Sequence, residues 1–206
     1  MGDFMKALIS VVAALVASPA FADGAYIGGF GSFGSYQALG WRGGPNPQRS
    51  STMLGGFAGY GFQAGGLIIS PEARLHVGTN RQTQYDENIP GFFGIRPAIY
   101  HYTLKENLGA SAGVNVGAPL GRFTPYVGAS IGRSKFKFNS IYTNSGGYQL
   151  LLEDRYSFTN YSVRLGTEYN IDSYFLRAEI QHRWFRTGGW DPIHKTEANI
   201  GLGVRF

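Results

Sequence analysis

Along most of the chain, apolar residues recur at every second position, which is the period of a β-strand with two different faces. The C-terminal segment is the clearest example, because Ala198, Ile200, Leu202 and Val204 alternate with polar or very small residues. The same alternation predicts eight strands and therefore an all-β chain. The predicted strands are residues 25–36, 52–63, 66–79, 95–118, 124–138, 157–169, 173–186 and 195–206.

Two of these segments alternate less regularly. Residues 25–36 are diluted by glycine, so the pattern does not fix which side chains share a face. Within residues 124–138 the apolar positions change parity between Ile131 and Phe136, which predicts a bulge near Gly132.

The connectors between the predicted strands alternate between short and long. Short turns at one end and long polar loops at the other are typical of an outer-membrane barrel. The short connectors are residues 64–65, 119–123 and 170–172, and the long loops are residues 37–51, 80–94, 139–156 and 187–194. Aromatic residues also collect at strand ends, as expected for two belts at the membrane surfaces. We expect Tyr60, Phe62, Tyr169, Tyr174 and Phe206 in the belt beside the short turns, and Tyr36, Tyr102, Tyr156 and Trp184 in the belt beside the long loops.

Residues 105–107 place a turn-like Lys-Glu-Asn sequence inside the longest predicted strand. The apolar positions keep one parity on both sides of it, which favours a single strand over two. A tilted strand crosses a bilayer in about 9–11 residues, so Glu106 is expected near or beyond the outer boundary. We expect the neighbouring strand to extend similarly, through residues 66–88.

The N-terminus has the three parts of a secretory signal peptide. A basic residue precedes an apolar stretch at residues 7–17, and Ala20 and Ala22 form an A-x-A cleavage site. The stretch is too short for a transmembrane helix, which needs about 20 residues. We predict cleavage after Ala22, with residues 1–22 as the signal peptide and residues 23–206 as the barrel.

The composition agrees with a membrane barrel and argues against other classes. The chain has 31 glycines, 15% aromatic residues and 15% charged residues, whereas soluble domains carry about 25% charged residues. Disorder would require few aromatic residues, and the absence of cysteine excludes disulfides and thiol chemistry. Many glycines fall on the inward parity, where a narrow interior needs small side chains.

Two motifs carry a resemblance to a known family. Residues 124–132, Thr-Pro-Tyr-Val-Gly-Ala-Ser-Ile-Gly, look like a strand opening after a periplasmic turn. Residues 199–206 end in Phe206 and are similar to the terminal signal that the outer-membrane insertion machinery reads. The chain thus resembles the small eight-stranded outer-membrane barrels of Gram-negative bacteria, the OmpA-like, opacity-type and "porin family" surface proteins. This resemblance implies an eight-stranded antiparallel up-and-down transmembrane β-barrel in the cell outer membrane, without indicating an activity.

Charged residues of both signs share the parity that faces the interior of such a barrel. Eight strands enclose an interior just wide enough for side chains to fill, and buried charges must be paired. We therefore predict that these side chains plug the lumen, with a narrow channel for small solutes as the alternative. The predicted network comprises Glu72, Arg74, Arg164, Glu168, Arg177, Glu179, Arg183, Glu197 and Arg205, with Lys195 on the same parity.

A lipid A-modifying enzyme is the second alternative. Some eight-stranded barrels deacylate lipid A with a lipid-facing His and a Ser two residues later. His182 has the outward parity, but position 184 is Trp, and a His–Trp pair holds no nucleophile for a base to activate. No catalytic residue is therefore predicted. The other histidines show no zinc spacing, so neither a metal nor a cofactor is predicted.

The expected partners follow from the loops and the net charge. Loops on a rigid scaffold commonly carry binding function, so a host or surface ligand is expected there. The net charge of +5 suits pairing of basic rim residues with the phosphates of outer-membrane lipid and lipopolysaccharide. The barrel-assembly machinery is expected to recognise the C-terminal strand. We expect a monomer with a structural and surface-interaction role, and no nucleic-acid binding, because the sequence has no basic cluster.

Overall fold

Nine strands make up almost all of the chain that the computed structural model describes, which comprises residues 22–38, 49–78, 82–89, 98–144, 149–187 and 193–206. They are β1 (Ala22–Ala38), β2 (Arg49–Ala64), β3 (Leu67–Gly78), β4 (Gln82–Ile89), β5 (Ala98–Gly117), β6 (Phe123–Asn144), β7 (Gln149–Ile171), β8 (Tyr174–Arg186) and β9 (Ile193–Arg205). The predicted signal peptide up to Phe21 lies outside the described residues. Among those residues, no helix is long and apolar enough to span a membrane.

The strands form one closed antiparallel barrel. Consecutive strands pair with each other, except that β3 and β4 both pair with β5, and β9 pairs with β1. Strand β3 pairs with residues 108–117 of β5, while β4 pairs with residues 98–104 of the same strand. Thus β3 and β4 are successive parts of one wall strand, and the nine segments build the predicted eight-stranded barrel.

The long strand β5 is continuous, as predicted, and β4 supplies the expected extension of its neighbour. The predicted bulge near Gly132 is wrong, because β6 keeps its register with both neighbours there. The irregularity lies instead in β5, between Glu106 and Leu108. The apolar positions of β6 change parity at Phe136 because this side chain is directed into the lumen, where it is 1% exposed, rather than towards the lipid.

The predicted loop at residues 139–156 is largely strand. Strand β6 continues to Asn144 and β7 begins at Gln149, and the two remain paired through this region. The prediction was wrong because a hairpin that rises above the membrane does not need alternating apolar residues. Strands β1, β2 and β9 likewise shorten the ends of two other predicted loops, and β4 occupies much of the predicted loop at residues 80–94.

The two faces of the wall differ as the alternation requires. On β8, Leu176 and Ile180 are exposed, whereas Arg177 and Glu179 are buried. The apolar face is therefore on the outside, and the polar face lines the lumen. Strand β1, whose faces the sequence did not fix, turns Tyr26, Ser32 and Tyr36 inward, together with the even-numbered residues between them.

Candidate functional site

The half of the lumen near the short turns, called the lower half here, contains a chain of ion pairs that joins opposite walls. Glu72 on β3 accepts hydrogen bonds from Arg74 Nε and Arg177 Nη1, each at 2.6 Å. Arg74 directs both terminal nitrogens to Glu179 on β8, with Nη2 2.8 Å from Oε2. Arg177 continues to Glu168 on β7, with Nη2 2.5 Å from Oε1. Cations and carboxylates therefore alternate across the bore.

Further side chains complete this lower network. Arg205 on β9 donates to Glu168 at 3.0 Å, and Arg164 on β7 donates to Glu72 at 3.2 Å. Tyr26 donates its hydroxyl hydrogen to Glu72 at 2.9 Å, while Tyr126 donates to Glu179. Glu72, Glu168 and Glu179 thus each accept hydrogen bonds from side chains on more than one strand. These bonds connect the strands of the wall at this level of the lumen.

The half of the lumen near the long loops, called the upper half, is organised around Glu106 on β5. Its carboxylate lies 2.8 Å from His76 Nε2 and 2.8 Å from Arg183 Nη1. Lys195 Nζ is 3.4 Å away, and Tyr36 donates its hydroxyl hydrogen at 2.5 Å. Glu106 therefore receives contacts from four side chains on β1, β3, β8 and β9.

Glu197 is the second carboxylate of the upper network. It accepts from Arg183 Nη2 at 3.0 Å and lies 2.9 Å from Lys195 Nζ. Lys195 is 0% exposed, and its ammonium group also lies 2.9 Å from the sulfur of Met53. A lysine that is completely buried requires such partners, since an unpaired buried charge is very costly.

The structure brings every residue of the predicted charge network into these two layers, with Arg205 half-buried and the others buried. The sequence interpretation missed Glu106 and the three tyrosines that donate to carboxylates. Glu106 was missed because the irregularity after it reverses the parity within β5, so that counting from Leu108 places it on the wrong face. His76 had the inward parity, but nothing in the sequence identified its partner.

An aromatic cluster lies among the charged side chains in each half of the lumen. Near the short turns, Tyr26, Phe57 and Phe175 pack together, and Arg177 stacks over the Phe57 ring at 4.2 Å. Near the long loops, a second cluster comprises Tyr36, Phe136 and Phe185, with Phe158 and Ile193 packed against it. Tyr36 was predicted in the outer aromatic belt, and this is wrong, since its ring is 5% exposed inside the barrel.

Large rings lie over glycines on the lumen wall. In each case the ring and the glycine face each other directly across two paired strands, and a Cβ on the glycine would clash with the ring. The pairs are Phe57 with Gly28, Phe30 with Gly55, Tyr26 with Gly59, His76 with Gly109, Tyr126 with Gly166, and Phe175 with Gly203. The glycines of the inward face therefore provide the space in which the rings and their hydrogen bonds fit.

The charges of the described lumen are nearly balanced. The carboxylates are Glu72, Glu106, Glu168, Glu179 and Glu197, and the arginine and lysine side chains are Arg74, Arg164, Arg177, Arg183, Lys195 and Arg205. Such a network neutralises itself and leaves no strong field of one sign. Among the described residues, no group of three or more His, Asp or Glu side chains is arranged to hold a metal ion.

His182 has a different environment on the outer wall. Its Nδ1 lies 2.8 Å from Thr196 Oγ1 on β9. Its ring packs against the Trp184 ring, with the two ring centroids 4.6 Å apart. The sequence interpretation missed this hydroxyl because Thr196 is on the neighbouring strand rather than two residues further along. No carboxylate within the described part of the chain forms an ion pair with His182, so none of the described carboxylates is in place to orient the imidazole.

The architecture is shared with known proteins. The chain resembles the Yersinia pestis attachment invasion locus protein Ail, solved with the heparin analogue sucrose octasulfate, at a TM-score of 0.52 and 12% identity, over 88% of this chain and 97% of that chain. Neisserial surface protein A matches at a TM-score of 0.49 and 15% identity, over 90% of this chain and 99% of that chain. The N-terminal β-barrel domain of Pseudomonas aeruginosa OprF matches at a TM-score of 0.42 and 15% identity, over 91% of this chain and 100% of that chain.

Sequence comparison identifies the family directly. No curated protein matches the chain significantly. The family model described as outer membrane protein beta-barrel domain, however, matches residues 7–206, which include all nine strands. The chain therefore belongs to the outer membrane protein β-barrel domain family, which places it in the cell outer membrane.

Proposed function

We propose that the protein is a structural outer-membrane barrel with a sealed lumen, and that its long-loop end serves interactions at the cell surface. The observation that carries this proposal is the ion-pair chain from Arg205 through Glu168, Arg177, Glu72 and Arg74 to Glu179, whose links cross the bore. A network of this kind holds opposite walls at fixed distances and fills the space between them.

A narrow channel for small solutes is the alternative, and the lumen offers little support for it. A permeating ion would have to displace side chains that already satisfy one another, and separating a buried ion pair leaves charges without compensation. It would also have to pass the two aromatic clusters that include Phe57 and Phe136. Both features favour a plug over a pathway.

Conductance in planar lipid bilayers tests the sealed lumen. The refolded protein is expected to give no stepwise current, whereas the double variant Arg74→Ala with Arg177→Ala is expected to give small steps, because it removes two side chains that span the bore. Arg155→Ala is the matched control, since Arg155 is an exposed arginine outside the lumen. Stepwise current from the unaltered protein would refute the sealed lumen.

The surface role rests on the height of the wall. Strands β4 to β7 continue well beyond the level at which the other strands end, and their hairpins present loops on a rigid base. We further propose that the signal peptide directs export, that the assembly machinery recognises Phe206 on the closing strand, and that the folded barrel is a monomer. Phe206 is 77% exposed, which leaves it accessible to such a factor.

A further inference from the structure

Basic side chains cover the outer wall of four neighbouring strands, β5 to β8, at the long-loop end. We call this surface the basic band. It consists of Lys105, Arg133, Lys135, Lys137, Arg155 and Arg186, of which Lys105 and Lys137 are half-buried and the others exposed. Among the described side chains, Glu153 is the carboxylate on the same face of this region. The band therefore carries a clear excess of positive charge.

The strand pairing places the band directly above the lipid-facing wall. Tyr161 on β7 lies opposite Trp184 on β8, and these two residue types mark the membrane–water interface. Two residues higher on each strand, Arg133 and Arg186 lie on either side of Thr159. A step of two residues on a tilted strand rises about 5 Å, so this first row of cations lies at the depth of the lipid headgroups.

The next rows bring like charges together. Lys137 on β6 has Lys105 directly opposite on one side and Arg155 directly opposite on the other. Like charges in that arrangement destabilise a sheet. Glu153 relieves part of the repulsion, because it lies 2.8 Å from Lys137 Nζ and 3.2 Å from Arg155 Nη2. One carboxylate does not balance three cations, and an external anion at this row would lower the remaining repulsion.

The rest of the wall shows that the band is not a general feature of the rim. The described outward side chains of β9, β1, β2 and β3 include no Lys, Arg, Asp or Glu. At the long-loop end these strands present residues such as Ser35, Thr52 and Thr196 instead. The positive charge is thus confined to one side of the barrel, where it continues upwards from an apolar surface.

We propose that the basic band binds the phosphate groups of outer-leaflet lipid headgroups whose acyl chains pack against the apolar wall below. Phosphate oxygens accept charge-assisted hydrogen bonds from Arg and Lys, and several cations in stacked rows suit a headgroup with more than one phosphate. This inference concerns the outer wall and goes beyond the sealed lumen, so the conductance result does not bear on it.

The test compares two lipid probes on refolded protein in detergent, at low ionic strength: lipid A with both phosphates, and the same lipid after enzymatic dephosphorylation. Native mass spectrometry measures the affinity for each. Each basic residue near an anionic surface raises the binding affinity about fivefold. The triple variant Lys105→Gln, Lys137→Gln, Arg155→Gln is therefore expected to bind the phosphorylated probe about a hundredfold more weakly. Arg122→Gln, an exposed arginine in a short turn at the other end, is expected to bind like the unaltered protein.

Equal affinity for the two probes, or equal affinity of the triple variant and the Arg122→Gln control for the phosphorylated probe, overturns the proposal. Inorganic phosphate is the third arm, and full competition at matched concentration would overturn the assignment to a lipid headgroup. Heat-modifiable gel migration reports whether the variants fold. If the triple variant does not fold, the unaltered protein decides: its affinity must fall as ionic strength rises, and an affinity independent of salt contradicts the proposal.

Discussion

Tyr36 on β1 donates a 2.5 Å hydrogen bond to Glu106 on β5, and so joins two strands that are not neighbours in the wall. The same carboxylate receives Arg183 and Lys195 from β8 and β9. Glu106 is therefore the point at which strands from opposite sides of the barrel meet. The position of Glu106 also explains why Tyr36 lies inside the barrel rather than at the membrane surface. The Tyr36 ring packs within the upper aromatic cluster, against Phe136 and Phe185, while its hydroxyl reaches the carboxylate.

Replacing Glu106 with Gln is expected to destabilise the barrel. Arg183 and Lys195 would then depend on Glu197 among the described carboxylates, and removing one partner of a buried ion pair costs about 3–5 kcal/mol. The measurement is urea unfolding of the refolded protein in detergent, followed by gel migration. Glu153→Gln is the matched control, because an exposed ion pair contributes little to stability. A loss for Glu106→Gln as small as that of the control would contradict the central role of this carboxylate.

The ring–glycine pairs predict a difference between two glycines of β2. A methyl group at Gly59 would clash with the Tyr26 ring and lie 2.6 Å from the carbonyl oxygen of Pro71. Overpacking of this kind costs about 1–3 kcal/mol, so Gly59→Ala is expected to lower the midpoint of urea unfolding. Gly56 is the control, since its nearest neighbour would be 3.4 Å away, and Gly56→Ala is expected to leave the midpoint unchanged or slightly raised. Equal midpoints for the two variants would argue against the role of the Tyr26 ring.

The fold was predictable from the sequence because the membrane imposes it. Lipid cannot hydrogen-bond to the backbone, so a closed sheet with apolar residues outside is required, and residues such as Ile200 and Arg177 record that alternation directly. The interior was only partly predictable. Parity identified which charges face inward, whereas the partners depend on which strands face each other across the bore. A single irregularity at Asn107 reverses the parity of β5, and for this reason the sequence pattern assigns Glu106 to the wrong face of the strand.

Glu153 is expected to titrate at unusually low pH. Hydrogen bonds from Lys137 and Arg155 lower its pKa below the usual range. Because the folded pKa is depressed, the stabilising contribution is fully present above the unfolded pKa, about 4.3, and is lost as pH falls through the folded value. Carboxyl chemical shifts from NMR of the refolded protein measure this titration. Lys137→Gln should raise the pKa of Glu153, whereas Arg122→Gln should leave it unchanged; identical titration in both variants would contradict the assigned cause.

The contact between His182 and Thr196 allows a direct test of enzymatic function. An imidazole beside a hydroxyl is the first requirement of a nucleophilic pair, and the 2.8 Å separation meets it. The second requirement is a group that orients the imidazole, and the ring instead contacts Trp184 and, at 5.9 Å, His194. We therefore expect the hydrogen bond to be structural, with Thr196→Val leaving cellular lipid A unchanged. Mass spectrometry of lipid A from cells with the unaltered protein, with Thr196→Val and without the protein should give one acyl pattern; a shortened pattern that disappears in the variant would establish Thr196 as a nucleophile.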